Sequence, residues 1–335
     1  MTKPTAVLLC PGRGSYGKDE LGFLARTLRP GPVAEALAAC DAWRQEQSRP
    51  TLSSIDGAET FRPGLHLEGQ NAAELIFFGT LAHAERLRER YEIVAVAGNS
   101  LGWYTALPAA GALDPTAGWR LVATMAALQQ QVAGGQVLMT TVGDDWQANL
   151  PLRVAVDAVV RALQDRGDEW FCDYSILLGG HVVLAGTEAA VRELLTRLPK
   201  VRVGDREFPF RLAGHGPFHT RLCASTAQQA TTMLADLPIG MPQCHLIDGF
   251  GNVHTPWSAD PRALLDYTTN AQVLETFDFT ACVRAAMREF APDVLLCAGP
   301  GSSLRAPVGH AVLAEGWRGL RDKQALFASG VVATE

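Results

Sequence analysis

No stretch of the sequence reaches the ~18 to 20 consecutive apolar residues that a membrane span needs. The apolar run Ala6 to Cys10 is too short for the core of a secretory leader. A soluble, cytoplasmic chain with no membrane association is therefore expected. Paired cysteines are also missing: the seven residues Cys10, Cys40, Cys172, Cys223, Cys244, Cys282 and Cys297 are odd in number and include no Cys-x-x-Cys. This argues against a disulfide framework and against a structural zinc site, and the thiols read as small buried hydrophobes. Lys and Arg number 29 against 35 Asp and Glu, for a net charge of −6 with the two signs interspersed. Without a basic stripe, nucleic acid is not an expected partner. No internal repeat or low-complexity tract occurs, and nothing points to a metal or redox cofactor.

What is present is globular: 335 residues, 47% hydrophobic and 19% charged. That length suits two domains, or one large α/β domain carrying an insertion. The most informative stretch is Ile93 to Leu107. A β-branched apolar run, Ile93-Val94-Ala95-Val96-Ala97, stops at Gly98-Asn99-Ser100-Leu101-Gly102, and a helix-compatible segment follows at once. Strand, Gly-x-Ser-x-Gly, helix is the sequence form of a nucleophile elbow. The glycines are required because a Cβ on either flank would crowd so sharp a turn, which leaves the serine strained and its Oγ exposed. The helix N-terminus then directs backbone N–H groups to where an oxyanion would form.

Upstream, the strand Thr5 to Cys10 runs into Pro11-Gly12-Arg13-Gly14-Ser15-Tyr16-Gly17. Its glycines allow close backbone approach to a ligand, but it lacks the Gly-Lys-Ser/Thr end of a phosphate loop and the spacing of a dinucleotide fingerprint. Apolar periodicity predicts helices over Pro32 to Gln47, Asn71 to Tyr91 and Pro115 to Val132, with an irregular stretch from Thr51 to Gly69. After Gly135 the order becomes strand, helix, strand, strand, helix, strand, ending near Phe208-Pro209-Phe210, a ferredoxin-like βαββαβ arrangement. The fold class is thus α/β: a large α/β-hydrolase-like domain (1–135 and 207–335) with a ferredoxin-like small subdomain inserted at 136–206. Beyond it follow Gly214 to Thr220, a helix over Arg221 to Leu237, a strand near Leu246-Ile247, a helix over Phe279 to Phe290, and the strand Val294 to Cys297 ending in Gly299-Pro300-Gly301.

Four of these motifs, in this order, resemble those of the malonyl-CoA:acyl-carrier-protein transacylases, acyltransferases of fatty-acid and polyketide synthesis. Pro11-Gly12-Arg13-Gly14-Ser15 resembles the family's Pro-Gly-Gln-Gly-Ser loop, and Gly98-Asn99-Ser100-Leu101-Gly102-Trp103-Tyr104 its Gly-His-Ser-Leu-Gly-Glu-Tyr elbow. Gly216-Pro217-Phe218-His219-Thr220 resembles the segment holding its catalytic histidine, and Gly299-Pro300-Gly301 its C-terminal Gly-Pro-Gly. The resemblance implies a ping-pong acyl transfer with no permanently bound cofactor. Ser100 attacks an acyl-CoA or acyl-carrier thioester; His219 is the base; and the acyl group passes to the phosphopantetheine thiol of an acyl carrier protein. It places the oxyanion on the backbone N–H groups of Leu101 and Arg13, and orients His219 by a main-chain carbonyl near Glu275 to Asp278.

The sequence departs from that family in its pocket. The arginine that holds the malonyl carboxylate aligns with Met125, and Asn99 and Trp103 replace a histidine and a glutamate. A buried carboxylate without a cation costs several kcal/mol. The pocket of Asn99, Trp103, Met125 and Phe218 is therefore expected to take a carboxylate-free acyl group; the competing expectation is a malonyl transferase in which Arg13 supplies the charge. An acidic carrier protein calls for a basic rim, for which Arg153, Lys200, Arg202, Arg206 and Arg211 are candidates. Three rivals remain: an editing acyl-thioester hydrolase on the same scaffold, an α/β-hydrolase triad of Ser100 with Asp248 or Asp293 and His310, and a silent carrier-docking module.

Overall fold

Every residue from Ala6 to Cys10 is fully buried, as expected of a β-branched and aliphatic strand covered on both faces of a parallel sheet. The computed structural model describes residues 2–334. Its strands in chain order are β1 (Thr5–Cys10), β2 (Glu92–Gly98), β3 (Gly135–Thr140), β4 (Cys172–Leu178), β5 (His181–Gly186), β6 (Val201–Val203), β7 (Arg206–Phe208), β8 (Phe210–Arg211), β9 (His245–Ile247), β10 (Val253–His254), β11 (Phe277–Asp278), β12 (Val294–Cys297) and β13 (Val332–Ala333).

The large sheet runs β10-β9-β2-β1-β12-β13. All its pairs are parallel except β9 with β10. Because β1 is flanked by β2 on one side and β12 on the other, the chain crosses over in opposite senses from this strand, and a crevice opens at the carboxyl ends. Three loops meet there: Pro11 to Gly17 after β1, the elbow after β2, and Gly299 to Gly301 after β12. The helices Gly69–Arg90, Leu101–Ala109 and Pro115–Gln129 pack together over the sheet. The Leu101–Ala109 helix is buried on nearly all sides, consistent with its almost wholly apolar sequence.

The second sheet runs β11-β4-β5-β3-β8, and its four main strands are mutually antiparallel. Helices Leu150–Gln164 and Glu188–Arg197 cover it, completing the split βαββαβ order anticipated from sequence. Gly179 (φ 61°) and Gly180 form the tight β4–β5 turn. This sheet extends past the 136–206 limits read from sequence: it closes with β8 and accepts the two-residue β11, parallel to β4, from the returning chain.

Helix limits largely follow the periodicity, and Phe279–Phe290 and Val294–Cys297 match it residue for residue. The stretch Thr51 to Gly69 contains two short helices, Leu52–Asp56 and Pro63–His66. After Gly301 the chain adds helices Arg305–Ala314 and Lys323–Ser329, and β13 pairs with β12. Pro307 and Gly309 within the first of these mask its helical signal. No helix among the described residues is long and apolar enough to cross a membrane, and all seven cysteines are unpaired.

Candidate active site

Ser100 caps the Leu101–Ala109 helix with φ 55° and ψ −109°, a strained backbone for a residue with a Cβ. The strain is imposed by close backbone approach. A Cβ on Gly98 would lie 2.1 Å from the carbonyl of Gly102, and one on Gly102 would lie 2.1 Å from the carbonyl oxygen of Cys10. The Asn99 N–H donates to that same Cys10 oxygen at 2.9 Å, so the elbow is clamped against the end of β1.

The serine Oγ lies 2.7 Å from Nε2 of His219. His219 Nδ1–H donates to the main-chain carbonyl of Gln272 at 2.6 Å, which fixes the tautomer and leaves Nε2 free to accept the serine proton. This orienting carbonyl lies three residues upstream of the Glu275 to Asp278 segment expected from sequence. The reason is local. In the single-turn helix Ala271–Leu274 the carbonyls of Asn270 and Ala271 are taken by Leu274 and Glu275, whereas that of Gln272 lies in the last turn with no intrahelical donor. The Gln272 side chain ties the site together: Oε1 accepts the Tyr104 hydroxyl at 2.6 Å, and Nε2 donates to the Ser100 carbonyl at 3.3 Å. Sequence reading missed Gln272, because a carbonyl is common to every residue and carries no signature.

His219 itself sits at φ 57° and is buried. Burial pulls its pKa down from 6.5 to about 4, against the opposing effect of the Gln272 hydrogen bond. Since a base must be neutral to work, the neutral form persists well below the ordinary histidine range. Reactivity of Ser100 toward a fluorophosphonate should stay level as pH falls from about 8 to about 5 and fall only near 4; a midpoint near 6.5 would refute the buried-base assignment. Folding stability will follow the opposite constraint. His181, His215 and His310 are likewise held neutral by burial, at about 4, 3 and 3. The unfolded chain takes up these protons near 6.5, so stability is greatest above that pH and declines as pH falls below it. The acid limb is therefore best measured by rapid pH jump.

The remaining candidates distribute around this pair. Leu101 is the first residue of the helix, with its N–H at the helix N-terminus. Arg13 follows β1, and its guanidinium donates to Gln129 Oε1 at 3.3 Å and stands 5.3 Å from the centre of the Phe218 ring. Burial pulls its pKa down to about 10, and it forms no ion pair among the described residues. Asn99 is buried against Gly12, and its Oδ1 has no protein partner. Trp103 is directed away into the core: its indole N–H donates to Thr268 Oγ1 at 3.0 Å and its ring meets Tyr267 edge-on. Met125 is buried on the Pro115–Gln129 helix, one turn before Gln129.

Of the rim candidates, Arg206 lines a cavity of about 450 Å³ with Gly14, Ser15, His181 and Ser302, directly beside the loop after β1. Arg153 lines another of about 680 Å³ on the far side of His310. Lys200 and Arg202 donate to the carbonyls of Leu195 and Gly204 beside the β6–β7 hairpin. Arg211 is engaged by Glu188 through two hydrogen bonds, at 2.5 and 2.9 Å, which neutralises its charge.

The rival triad is not assembled. His310 Nδ1 accepts the Gly180 N–H at 3.1 Å, Asp248 pairs with His254 at 2.9 Å, and Asp293 is bonded to Thr5.

No protein-family model matches the sequence. Solved structures do match the fold over nearly the whole chain. The acyl-carrier-protein S-malonyltransferase of Burkholderia pseudomallei 1710b superimposes with a TM-score of 0.71 at 20% identity, covering 98% of this chain and 95% of that one. The malonyl-CoA:acyl carrier protein transacylase of Xanthomonas oryzae pv. oryzae gives 0.72 at 19% identity, over 100% and 95%. A malonyl-transacylase solved in complex with its type II polyketide acyl-carrier protein gives 0.71 at 19% identity, over 97% and 99%. The chain has the α/β fold of these proteins, a large hydrolase-like domain with a ferredoxin-like subdomain.

Proposed function

We propose that this chain is an acyltransferase of the malonyl-CoA:acyl-carrier-protein transacylase type, carrying an acyl group from a thioester to the phosphopantetheine thiol of an acyl carrier protein through Ser100. The observation that carries this reading is the aligned chain Ser100 Oγ, His219, Gln272 carbonyl at the switch point of the sheet. It combines an activated nucleophile, a base of fixed tautomer and a helix N-terminus in one place. Nε2 of His219 takes the Ser100 proton as Oγ attacks the thioester carbonyl. The N–H groups of Leu101 and Arg13 stabilise the oxyanion, and collapse expels the donor thiol with that proton. The carrier thiol then repeats the sequence in reverse, losing its proton to His219 and leaving with the acyl group. Oxygen attack and thiol return use the same geometry, so no resident cofactor is needed; acyl-CoA or acyl-carrier protein is substrate.

Intact-mass measurement after brief exposure to a panel of acyl thioesters, followed by holo carrier protein, tests this. Mass gained on Ser100 and passed to the carrier supports the transferase. Gain released as free acid with carrier present identifies the hydrolase, and no gain with any donor leaves the docking module.

The acyl group has two readings, and Met125 alone favours the carboxylate-free one. The position of Arg13 favours the other. The Arg13 guanidinium is half-buried, makes one long hydrogen bond to Gln129 and has no carboxylate in ion-pair contact, Glu68 acting on it only from further off, so most of its donors remain for an anion. On this reading Arg13, held by Gln129 and Phe218, receives the carboxylate of a malonyl-type acyl group in place of the missing arginine. Arg13→Leu should then slow labelling by malonyl-CoA about 100-fold while leaving butyryl-CoA labelling within about threefold. Preference for butyryl-CoA in the unmodified protein, untouched by Arg13→Leu, would return the assignment to a neutral acyl group.

A further inference from the structure

The strained loop carrying His219 is held from the small subdomain by a buried chain of hydrogen bonds whose direction is forced at every link. The carbonyl of Phe218, one atom pair from the His219 backbone, can only accept, so the Ser175 hydroxyl donates to it at 2.8 Å. Ser175 Oγ must then accept from Gln136 Nε2, 2.7 Å away. That leaves Gln136 Oε1 facing His215, whose Nδ1 lies at 2.8 Å and must carry its proton. Gln136 stands on β3 and Ser175 on β4, and they are 1% and 0% exposed. A third residue of the same sheet, Phe277 of β11, places its ring 5.5 Å from that of His219.

We infer that Gln136 and Ser175 are positioning residues for His219, through which the small subdomain sets the alignment of the base with a nucleophile carried by the large one. The inference rests on the acyl-transfer reading given above. His219 lies at φ 57°, a conformation that persists only where the surroundings over-determine it. On its C-terminal side the loop is fixed by the Thr220 hydroxyl on the Pro217 carbonyl at 2.6 Å. On its N-terminal side the Leu212 N–H bonds to the Gln136 carbonyl at 2.9 Å. The Ser175 bond is the link between these anchors that acts on the peptide joining Phe218 to His219. Without it the carbonyl is buried with no donor, and the peptide is free to rotate, carrying the imidazole off the 2.7 Å contact with Ser100.

The test reads Ser100 directly, whichever acyl group the protein takes. Rates of fluorophosphonate labelling, with kcat and KM for the best acyl donor, are compared for the unmodified protein, Ser175→Ala, Gln136→Leu and Ser175→Cys. Ser175→Ala should slow labelling and kcat by about 10- to 100-fold with KM within about twofold. Gln136→Leu, which keeps the Ser175 hydroxyl but removes what orients it, should give a smaller loss in the same direction. Ser175→Cys, a near-isostere with a weak donor, should recover part of the rate. Unchanged labelling in Ser175→Ala and Gln136→Leu overturns the inference, as does a loss that falls equally on KM and kcat and tracks a lower Tm. Should Ser175→Ala not fold, Gln136→Leu carries the same comparison. Failure of the underlying reading has a different signature: the unmodified protein would not label, or Ser100→Ala would label as well as it.

Discussion

Replacing Ser100 with alanine will eliminate the covalent acyl adduct and lower transfer to a carrier thiol by about 10⁵- to 10⁶-fold, the loss seen when a nucleophile is removed from a cooperating catalytic group. The size follows from the site's construction. The strain at Ser100, the Gln272 carbonyl behind His219 and the helix N-terminus in front of the serine all serve one oxygen atom. Removing that oxygen leaves a base without a proton to take. His219→Ala should cost nearly as much, and the double variant should be no slower than Ser100→Ala, because the two residues act as a unit. Gln272→Ala should cost far less, since its main-chain carbonyl survives the substitution, and the loss should reflect only the freed Tyr104 hydroxyl and Ser100 carbonyl. Intact mass and single-turnover transfer measure all four. A mass gain that persists in Ser100→Ala would place the nucleophile elsewhere and sink the assignment.

The second large effect is on folding. Gly102→Ala will destabilise the protein by more than about 4 kcal/mol, a loss large enough to remove most of the soluble yield of a domain of ordinary stability. A Cβ at this position would lie 2.1 Å from the Cys10 carbonyl oxygen and 2.9 Å from that of Pro11, and both are backbone atoms that no rotamer change can move. Gly98→Ala meets the Gly102 carbonyl at 2.1 Å and should behave alike. Relief would require the Leu101–Ala109 helix to withdraw from β1, opening a core in which Trp103, Tyr104, Ala106 and Leu107 are buried. Gly64→Ala is the control: a Cβ there meets nothing within 4 Å, and its effect should stay within about 0.5 kcal/mol. Denaturant midpoints of the three variants decide the matter. A Gly102→Ala protein as stable as Gly64→Ala would mean that the elbow is not pressed against β1.

Much of the fold could be read from the chain because its signals are local. The run Ile93 to Ala97, its abrupt stop, and the apolar helix after Ser100 are encoded within about 15 residues. The βαββαβ order after Gly135 is likewise a succession of short periodic segments punctuated by Gly179-Gly180. β11 gave no such signal: two residues, Phe277 and Asp278, become a strand only because the edge of β4 is there to pair with. The limits 136–206 fell short for the same reason, since β8 is a strand of two residues defined by its partner β3.

The site divides in the same way. The sequence by itself determined the sharp turn at Ser100, the proposed nucleophile, and the helix after it, because a strained serine between two obligatory glycines is a local steric problem with a local solution. Resemblance of the flanking residues pointed to His219, which the structure places 2.7 Å from the Ser100 hydroxyl. The tertiary structure alone decided which carbonyl orients His219 and which strands hold the loop at Phe218, because Gln272, Gln136 and Ser175 act through ordinary amide and hydroxyl groups whose meaning depends on what lies 3 Å away. It also decided that Trp103 turns into the core while Arg13 turns toward Phe218 and Gln129. Side-chain direction depends on the neighbours that exclude water from one side of a residue, and those neighbours lie more than a hundred residues away in the chain.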